Sequence, residues 1–271
     1  MSLRNELRQP LTNMTLFSDS YNWQDWYNFT KKGAKAINDV NPALLIFLSG
    51  LDSDTTLQPV VEGTALTPSS TLFSRSDFPG YDDKLVLELH NYANILGGPD
   101  LSNCTSLEES LFDNGFETLT SNASNTFPLV MTEFGYDQNL TTATTGYAAC
   151  LETYLGQQQA SWMIWTISGS YYIRKGTQDY DEPWALLNHD WSDWRSREHV
   201  ESSLSMLINA TFAAVGRSAT NNTNATQSDD SGSSGTDGTA GNSSGDAARF
   251  VDGLENVLQA CMLVVGVMYF L

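Results

Sequence analysis

Two acids stand at positions where an unpaired carboxylate is costly. Glu133 closes the stretch Leu129-Val130-Met131-Thr132-Glu133-Phe134-Gly135-Tyr136, apolar and β-branched, led in by Pro128 and ended by Gly135. Such a stretch reads as a buried parallel strand, and a carboxylate at its carboxyl end has to be paired or functional. The second acid, Glu6, follows Ser2-Leu3-Arg4-Asn5 in a matching setting, and His90-Asn91-Tyr92 follows the apolar stretch Lys84 to Leu89. Two strand-end carboxyls lined by an imidazole and aromatic rings are the groups that cleavage of a glycosidic bond requires. Alone, Glu133 reads equally well as a salt-bridged structural acid; the second acid breaks the tie.

The elements that must position these groups alternate along the chain. Met1 to about Asn5 reads as the end of a strand. A helix follows from about Tyr21, with Trp23, Trp26, Tyr27, Ala34 and Ile37 at helical spacing, and Asn41-Pro42 stops it. Ala43 to Leu48 is a short apolar strand closed by Ser49-Gly50, and a long polar loop with Pro59, Pro68 and Pro79 covers 52 to 83. After the strand Leu85 to Tyr92, Thr105 or Ser106 with an acid three residues on offers capping boxes for a helix to about Leu119. Then come the Glu133 strand, a helix from about Thr145 to Gln159, a strand Ser161 to Ile167, an aromatic-rich loop through Trp184, Trp191 and Trp194, and a helix near Glu198 to Phe212. Strands alternating with helices imply a parallel α/β sheet. The order matches the last five βα units of a (β/α)8 barrel, a partial TIM barrel, with about three units wanting at the amino end. A five-stranded doubly wound sheet competes with it, although no Gly-rich phosphate loop accompanies these strands.

Composition bounds the function. The 271 residues are 41% hydrophobic, enough for a core, and 13 basic against 32 acidic residues give a formal charge of -19. That charge argues against nucleic acid and against an anionic membrane surface as partners, and suits an extracellular protein acting on neutral polymers. Asn-X-Ser/Thr sequons recur at Asn13, Asn28, Asn103, Asn122, Asn139, Asn209, Asn221, Asn224 and Asn242, which points to the secretory pathway and glycans on surface loops. Among the three cysteines, Cys104 in a loop and Cys150 on a helix remain either as a disulfide or as two buried thiols if Cys261 leaves with the tail. No run of Cys, His and acids has metal-ligand spacing, so no metal is expected. A secreted chain would open with a charged and then an apolar run, and this one opens directly with Met1-Ser2-Leu3-Arg4; Met1 is therefore expected to be an internal methionine of a longer protein.

At Arg4-Asn5-Glu6, His90-Asn91-Tyr92, Thr132-Glu133-Phe134-Gly135 and Trp165 through Gly169-Ser170-Tyr171-Tyr172, the sequence resembles glycoside hydrolase family 5, the fungal cellulase-like members in particular, over residues 1 to about 212. The resemblance implies strands four to eight of that family's barrel and a retaining β-glycan hydrolase. It implies Glu6 as acid/base with Asn5 holding the sugar's 2-hydroxyl, Glu133 as nucleophile oriented by Tyr92, His90 beside them, and Trp165 as the ring on which the sugar stacks. Trp162, three residues earlier, faces the other side of a strand. The Arg and His that the family carries on earlier strands have no counterpart here, which leaves part of the active site wanting and strand edges unpaired.

Three segments follow: a catalytic barrel over 1-213, a Ser/Thr/Asn/Gly linker over 214-246 that cannot fold alone, and a hydrophobic end over 247-271. Val257 to Leu271 is apolar but for Gln259 and is preceded by small residues. That is the pattern of a glycosylphosphatidylinositol signal with its anchor at Ser243, Ser244 or Gly245, a tail-anchored or packed helix being the alternative. The reading is thus a monomeric, cell-surface β-glucanase of the cellulase type that needs no cofactor, set against a non-catalytic glycan-binding wall protein or an inactive fragment.

Overall fold

The computed structural model describes residues 1–93, 103–120 and 123–214, apart from the side chains of residues 17 and 18. The linker, the hydrophobic end with Ser243, Ser244 and Gly245, and the sequons at Asn122, Asn221, Asn224 and Asn242 lie outside the described residues. No helix among those described is long and apolar enough to cross a membrane.

Four strands, β1 (Ile46–Ser49), β2 (Leu85–Tyr92), β3 (Leu129–Gly135) and β4 (Ser161–Ile164), form one parallel sheet in sequence order. The helices follow the strands as in a βα barrel: α1 (Met14–Ser20), α2 (Trp23–Val40), α3 (Gln58–Val61), α4 (Cys104–Asn114), α5 (Leu140–Thr144) and α6 (Gly146–Gln157). A final helical stretch joins α7 (Arg197–His199) to α8 (Ser205–Ala214) through a π turn at Val200–Leu204. The strand expected at residues 1 to 5 is a single parallel bridge, Ser2 to Phe47, with Leu3 N donating to the Phe47 carbonyl. Among the described residues β1 alone pairs with this segment, and the chain then turns at Glu6.

Each strand shows the sheet two faces. Ile46, Leu48, Leu85, Leu87, Leu89, Leu129, Met131 and Trp162 point outward into the main core, against Trp26 and Tyr27 of α2, Leu107 and Leu111 of α4 and Leu151 and Leu155 of α6. The alternate residues Phe47, Val86 and Val130 form a small inner cluster with Leu45 and Met163. Full burial of a side chain such as Leu87 stabilises the fold by about 2 kcal/mol. Helix α2 buries the stripe read from the sequence, with Asn22 accepting from Asp25 N at its start and Asn41 ending it before Pro42. For α4 the cap is Asn103, whose side chain accepts from Thr105 N, so Thr105 and Ser106 lie inside the helix and Cys104 opens it rather than lying in a loop.

Two connections tie the barrel's outer layer together. Cys104 and Cys150 form a disulfide between α4 and α6, with Cα atoms 5.0 Å apart. A buried polar cluster joins the end of β3 to α6 and α7: His199 Nε2 lies 2.8 Å from Glu152 Oε1, His199 Nδ1 lies 3.0 Å from Gln138 Oε1, and the Tyr136 hydroxyl donates to Glu152. The aromatic loop after β4 folds into a hairpin that the sequence reading did not resolve, β5 (Ser170–Arg174) and β6 (Thr177–Asp181). Its two-residue turn Lys175-Gly176 takes positive φ at both positions, the geometry that suits strand twist.

The disulfide closes a sequence separation of 46 residues. Replacing both cysteines by serine is expected to cost about 3 to 4 kcal/mol of unfolding free energy, measured by urea denaturation. A loss under about 1 kcal/mol would show that the bond does not constrain the unfolded chain.

Candidate active site

Strand alternation would place Met131 and Glu133 on the same side, and Met131 faces the outer core. The pairing prevents this. Leu89 pairs with Met131 but His90 pairs with Glu133, so Thr132 is an extra residue in β3, and the same irregularity recurs against β4 between Met131 and Phe134. The bulge turns both Thr132 and Glu133 to the inner side, where they line one cleft of about 520 Å³ with Asn5, Glu88 and His90. Phe134 then returns to the outer core. Bulges beside functional sites re-aim side chains in this way.

Around Glu133 the expected residues converge. The Tyr92 hydroxyl donates to Glu133 Oε1 at 2.6 Å, and His90 Nδ1 lies 3.2 Å from Glu133 Oε2 and 3.2 Å from Glu6 Oε1. One imidazole thus bridges both acids. Burial first, and then the hydrogen bond to Glu133, hold the Tyr92 phenol far above its usual range, so it remains a donor at all working pH. Residues distant in sequence make up this trio, which is why sequence spacing showed no ligand cluster. Among the described residues Glu6, His90 and Glu133 could hold a cation, their ligand atoms lying within 4.8 Å of one another.

Glu6 sits just past the Ser2 bridge with φ 47. Partial burial pushes its carboxyl up, but the hydrogen bonds from Arg8 and His90 outweigh this and leave it below the usual range. The Arg8 side chain is 72% exposed, so solvent contests its hold. Asn5, exposed, lies on the cleft wall. Deeper in the cleft Glu88 accepts from the Ser2 hydroxyl, and its burial pushes its carboxyl up.

Trp162 and Trp165 part company. Trp162 is buried in the outer core, its indole N–H donating to Thr211 Oγ1, whereas Trp165 stacks on Tyr171 at 6.3 Å beneath the Arg174 guanidinium. Trp184 lies edge-on to Trp165 and 5.6 Å from Tyr92, which makes the aromatic wall continuous with the acids. Gly135 is required here: a Cβ would stand 2.2 Å from the Trp165 carbonyl oxygen. Sequence reasoning missed Asp54, 1% exposed, whose Oδ2 accepts from Glu6 N at 2.6 Å. It lay inside the loop read only as long and polar, where nothing local announced it.

With this geometry in view, the comparisons are decisive for the family. The profile of Cellulase (glycosyl hydrolase family 5) matches residues 2–170. The chain belongs to glycosyl hydrolase family 5. A curated relative, a glycosyl hydrolase 5 family protein of Chamaecyparis obtusa, is 33% identical over 210 residues, covering 74% of this chain and 34% of that protein. The β-glucanase SdGluc5_26A of Saccharophagus degradans, solved in complex with cellotetraose, shares the fold at 12% identity and a TM-score of 0.50, covering 77% of this chain and 53% of that one. An endocellulase of Pyrococcus horikoshii, also with cellotetraose, covers 68% of the chain and 48% of its own at 16% identity and a TM-score of 0.46. The chain spans about a third of the curated relative and about half of the solved ones.

The hold of Arg8 on Glu6 has a direct readout. In Arg8→Ala the Glu6 carboxyl, followed by carbon NMR of labelled glutamate, is expected to titrate at higher pH, because the group that stabilised its ionised form is gone. An unchanged or lower midpoint would mean that Arg8 does not hold it.

Proposed function

We propose that this glycosyl hydrolase family 5 chain hydrolyses a β-linked glucan by the retaining, double-displacement route. One observation carries the proposal: Glu6 and Glu133 present oxygens within 4.8 Å of each other and of the imidazole nitrogen between them. Retaining enzymes set their two carboxyls about 5 to 5.5 Å apart, whereas inverting ones leave room for a water.

In the proposed reaction Glu133, as carboxylate, attacks the anomeric carbon while the bond to the leaving oxygen breaks, and Glu6 gives that oxygen its proton. Water then attacks the glycosyl ester; Glu6 takes its proton back, and the bond to Glu133 breaks. Tyr92 holds the nucleophile in place from one oxygen and His90 from the other. Asn5 meets the 2-hydroxyl, and Trp165 offers a ring face to the sugar, with Arg174 displaced from above it. A β-glucan substrate is supported by family membership and by the cellotetraose bound to the fold neighbours. No organic cofactor is required by this chemistry. Arg8 on Glu6 favours a second reading, a cleft that binds glycan without turnover, since a carboxylate held ionised cannot deliver a proton.

The same proposal places the chain outside the cell as a monomer, on a glycosylated stalk with a lipid anchor at Ser243, Ser244 or Gly245. The Cys104–Cys150 disulfide and the exposure of Asn13, Asn28, Asn103, Asn139 and Asn209 support an oxidising, glycosylating compartment.

Glu133→Gln is expected to lower kcat on a soluble β-glucan by on the order of 10⁴-fold while leaving glycan binding, measured by calorimetry, within a few-fold. Turnover that survives the substitution would sink the nucleophile assignment. A wild-type chain that binds glycan and does not turn over would favour the second reading.

A further inference from the structure

Asp54 has no part in the scheme above, yet no side chain in the site is more completely buried. It follows β1 in the segment Leu51-Asp52-Ser53-Asp54, where three consecutive residues take left-handed backbone, with φ of 53, 63 and 61. Residues with a side chain rarely adopt this conformation even singly, and a run of three persists only if its surroundings impose it. The surroundings are on view. Leu51 and Thr56 pair across the turn, Gly50 lets the Thr56 carbonyl approach to where a Cβ would stand at 1.8 Å, and the Asp52 main-chain N–H donates to the Tyr21 hydroxyl at 2.6 Å.

What the strained turn delivers is contact with Glu6 and with His90, the residue that bridges the two acids. Ser53 N donates to the Leu7 carbonyl at 2.9 Å and Glu6 N donates to Asp54 Oδ2 at 2.6 Å, so the stretch that bears Glu6 is fastened at two points. The Asp54 carbonyl accepts from His90 N at 2.8 Å, and the same Oδ2 lies 4.0 Å from His90 Nε2, the ring nitrogen turned away from the two acids. Among the described residues Asp54 Oδ1, buried, has no hydrogen bond of normal geometry, although the Ser49 side chain stands near the carboxyl. A buried carboxylate half-satisfied in this way is costly, and packing alone gives no reason for it.

We propose that Asp54 is a positioning residue of this site: its carboxylate fixes the main chain of Glu6 and stands behind the His90 imidazole, so one buried side chain sets where the proton donor lies relative to the nucleophile. The inference rests on Glu6 being the acid. Asp54 touches no substrate in this scheme and acts only through Glu6 and His90. Its consequence is selective. Displacing a catalytic group by about 1 Å costs on the order of 100-fold in rate, but only for a step that uses that group. A leaving group that departs without a proton should not notice the loss.

The test compares two substrates on the complete chain: cellotetraose, whose leaving sugar needs a proton, and dinitrophenyl β-cellobioside, whose phenolate leaves without one. Asp54→Ala is expected to lower kcat/KM on cellotetraose by about 100-fold, and on the dinitrophenyl glycoside by no more than about threefold, which is the range left to uncoupled effects. Asp54→Asn, which keeps an oxygen for Glu6 N, is expected to recover about tenfold of the loss, the weight of one hydrogen bond. Should the alanine variant fail to melt cooperatively, the asparagine variant is read by the same ratio of substrates. An equal loss on both substrates, or no loss on either, overturns the proposal. Glu6→Ala serves as the reference. If it shows the leaving-group selectivity and Asp54→Ala does not, the positioning role alone falls; if Glu6→Ala does not show it, the acid assignment falls and takes this inference with it.

Discussion

The site depends on one extra residue in one strand. A regular β3 would send Glu133 outward beside Met131, into the apolar layer between sheet and helices, where an unpaired carboxylate costs several kcal/mol. The bulge at Thr132 shifts the register so that Glu133 stands opposite His90 and Gly135 opposite Tyr92. From that shift follow the Tyr92 and His90 contacts, the inner cleft and the place for Trp165 over Gly135. The strand is thereby apolar where it faces the helices and acidic where it faces the cleft, with Phe134 already back in the core one residue later.

The second constraint is electrostatic. Two carboxylates so close would repel each other if both were ionised; His90 Nδ1 stands 3.2 Å from each, with Arg8 on Glu6 and the Tyr92 hydroxyl on Glu133. The surrounding groups pull in different directions: Arg8 favours ionised Glu6, whereas burial keeps Tyr92 neutral and raises Asp54 and Glu88. In the proposed reaction the cleft must therefore loosen Arg8 from Glu6 before the proton can be delivered. The exposure of the Arg8 side chain leaves room for that movement, and an arriving sugar would compete for the same carboxylate.

How much of this was legible in the sequence varies with the range of the interaction that decides it. The strand of Glu133 and the helix from Trp23 were legible because burial imposes a period on one segment, and the segment records it. The bulge was not, because register is a relation between two strands and Leu129 to Gly135 looks regular alone. The same holds for Asp54, whose partners Glu6 and His90 lie 48 and 36 positions away along the chain, the first tied to it directly. Local chemistry misled at α4, where Asn103 won the cap from Thr105 and Ser106. The hairpin at Ser170 to Asp181 hid behind its aromatic residues, although Lys175-Gly176 is a fair turn signal. The Cys104–Cys150 pair needed a distance that no spacing supplies.

The central claim is that the bulge presents Glu133 as the group that bonds to the sugar. The most direct measurement is the mass of the peptide containing Leu129 to Tyr136 after incubation with a dinitrophenyl 2-deoxy-2-fluoro-β-cellobioside, which forms the glycosyl ester readily and hydrolyses it slowly. The account predicts a single adduct, located on Glu133 by fragmentation. An adduct on Glu6 or on another residue, or turnover of glycan with no adduct at all, would contradict it.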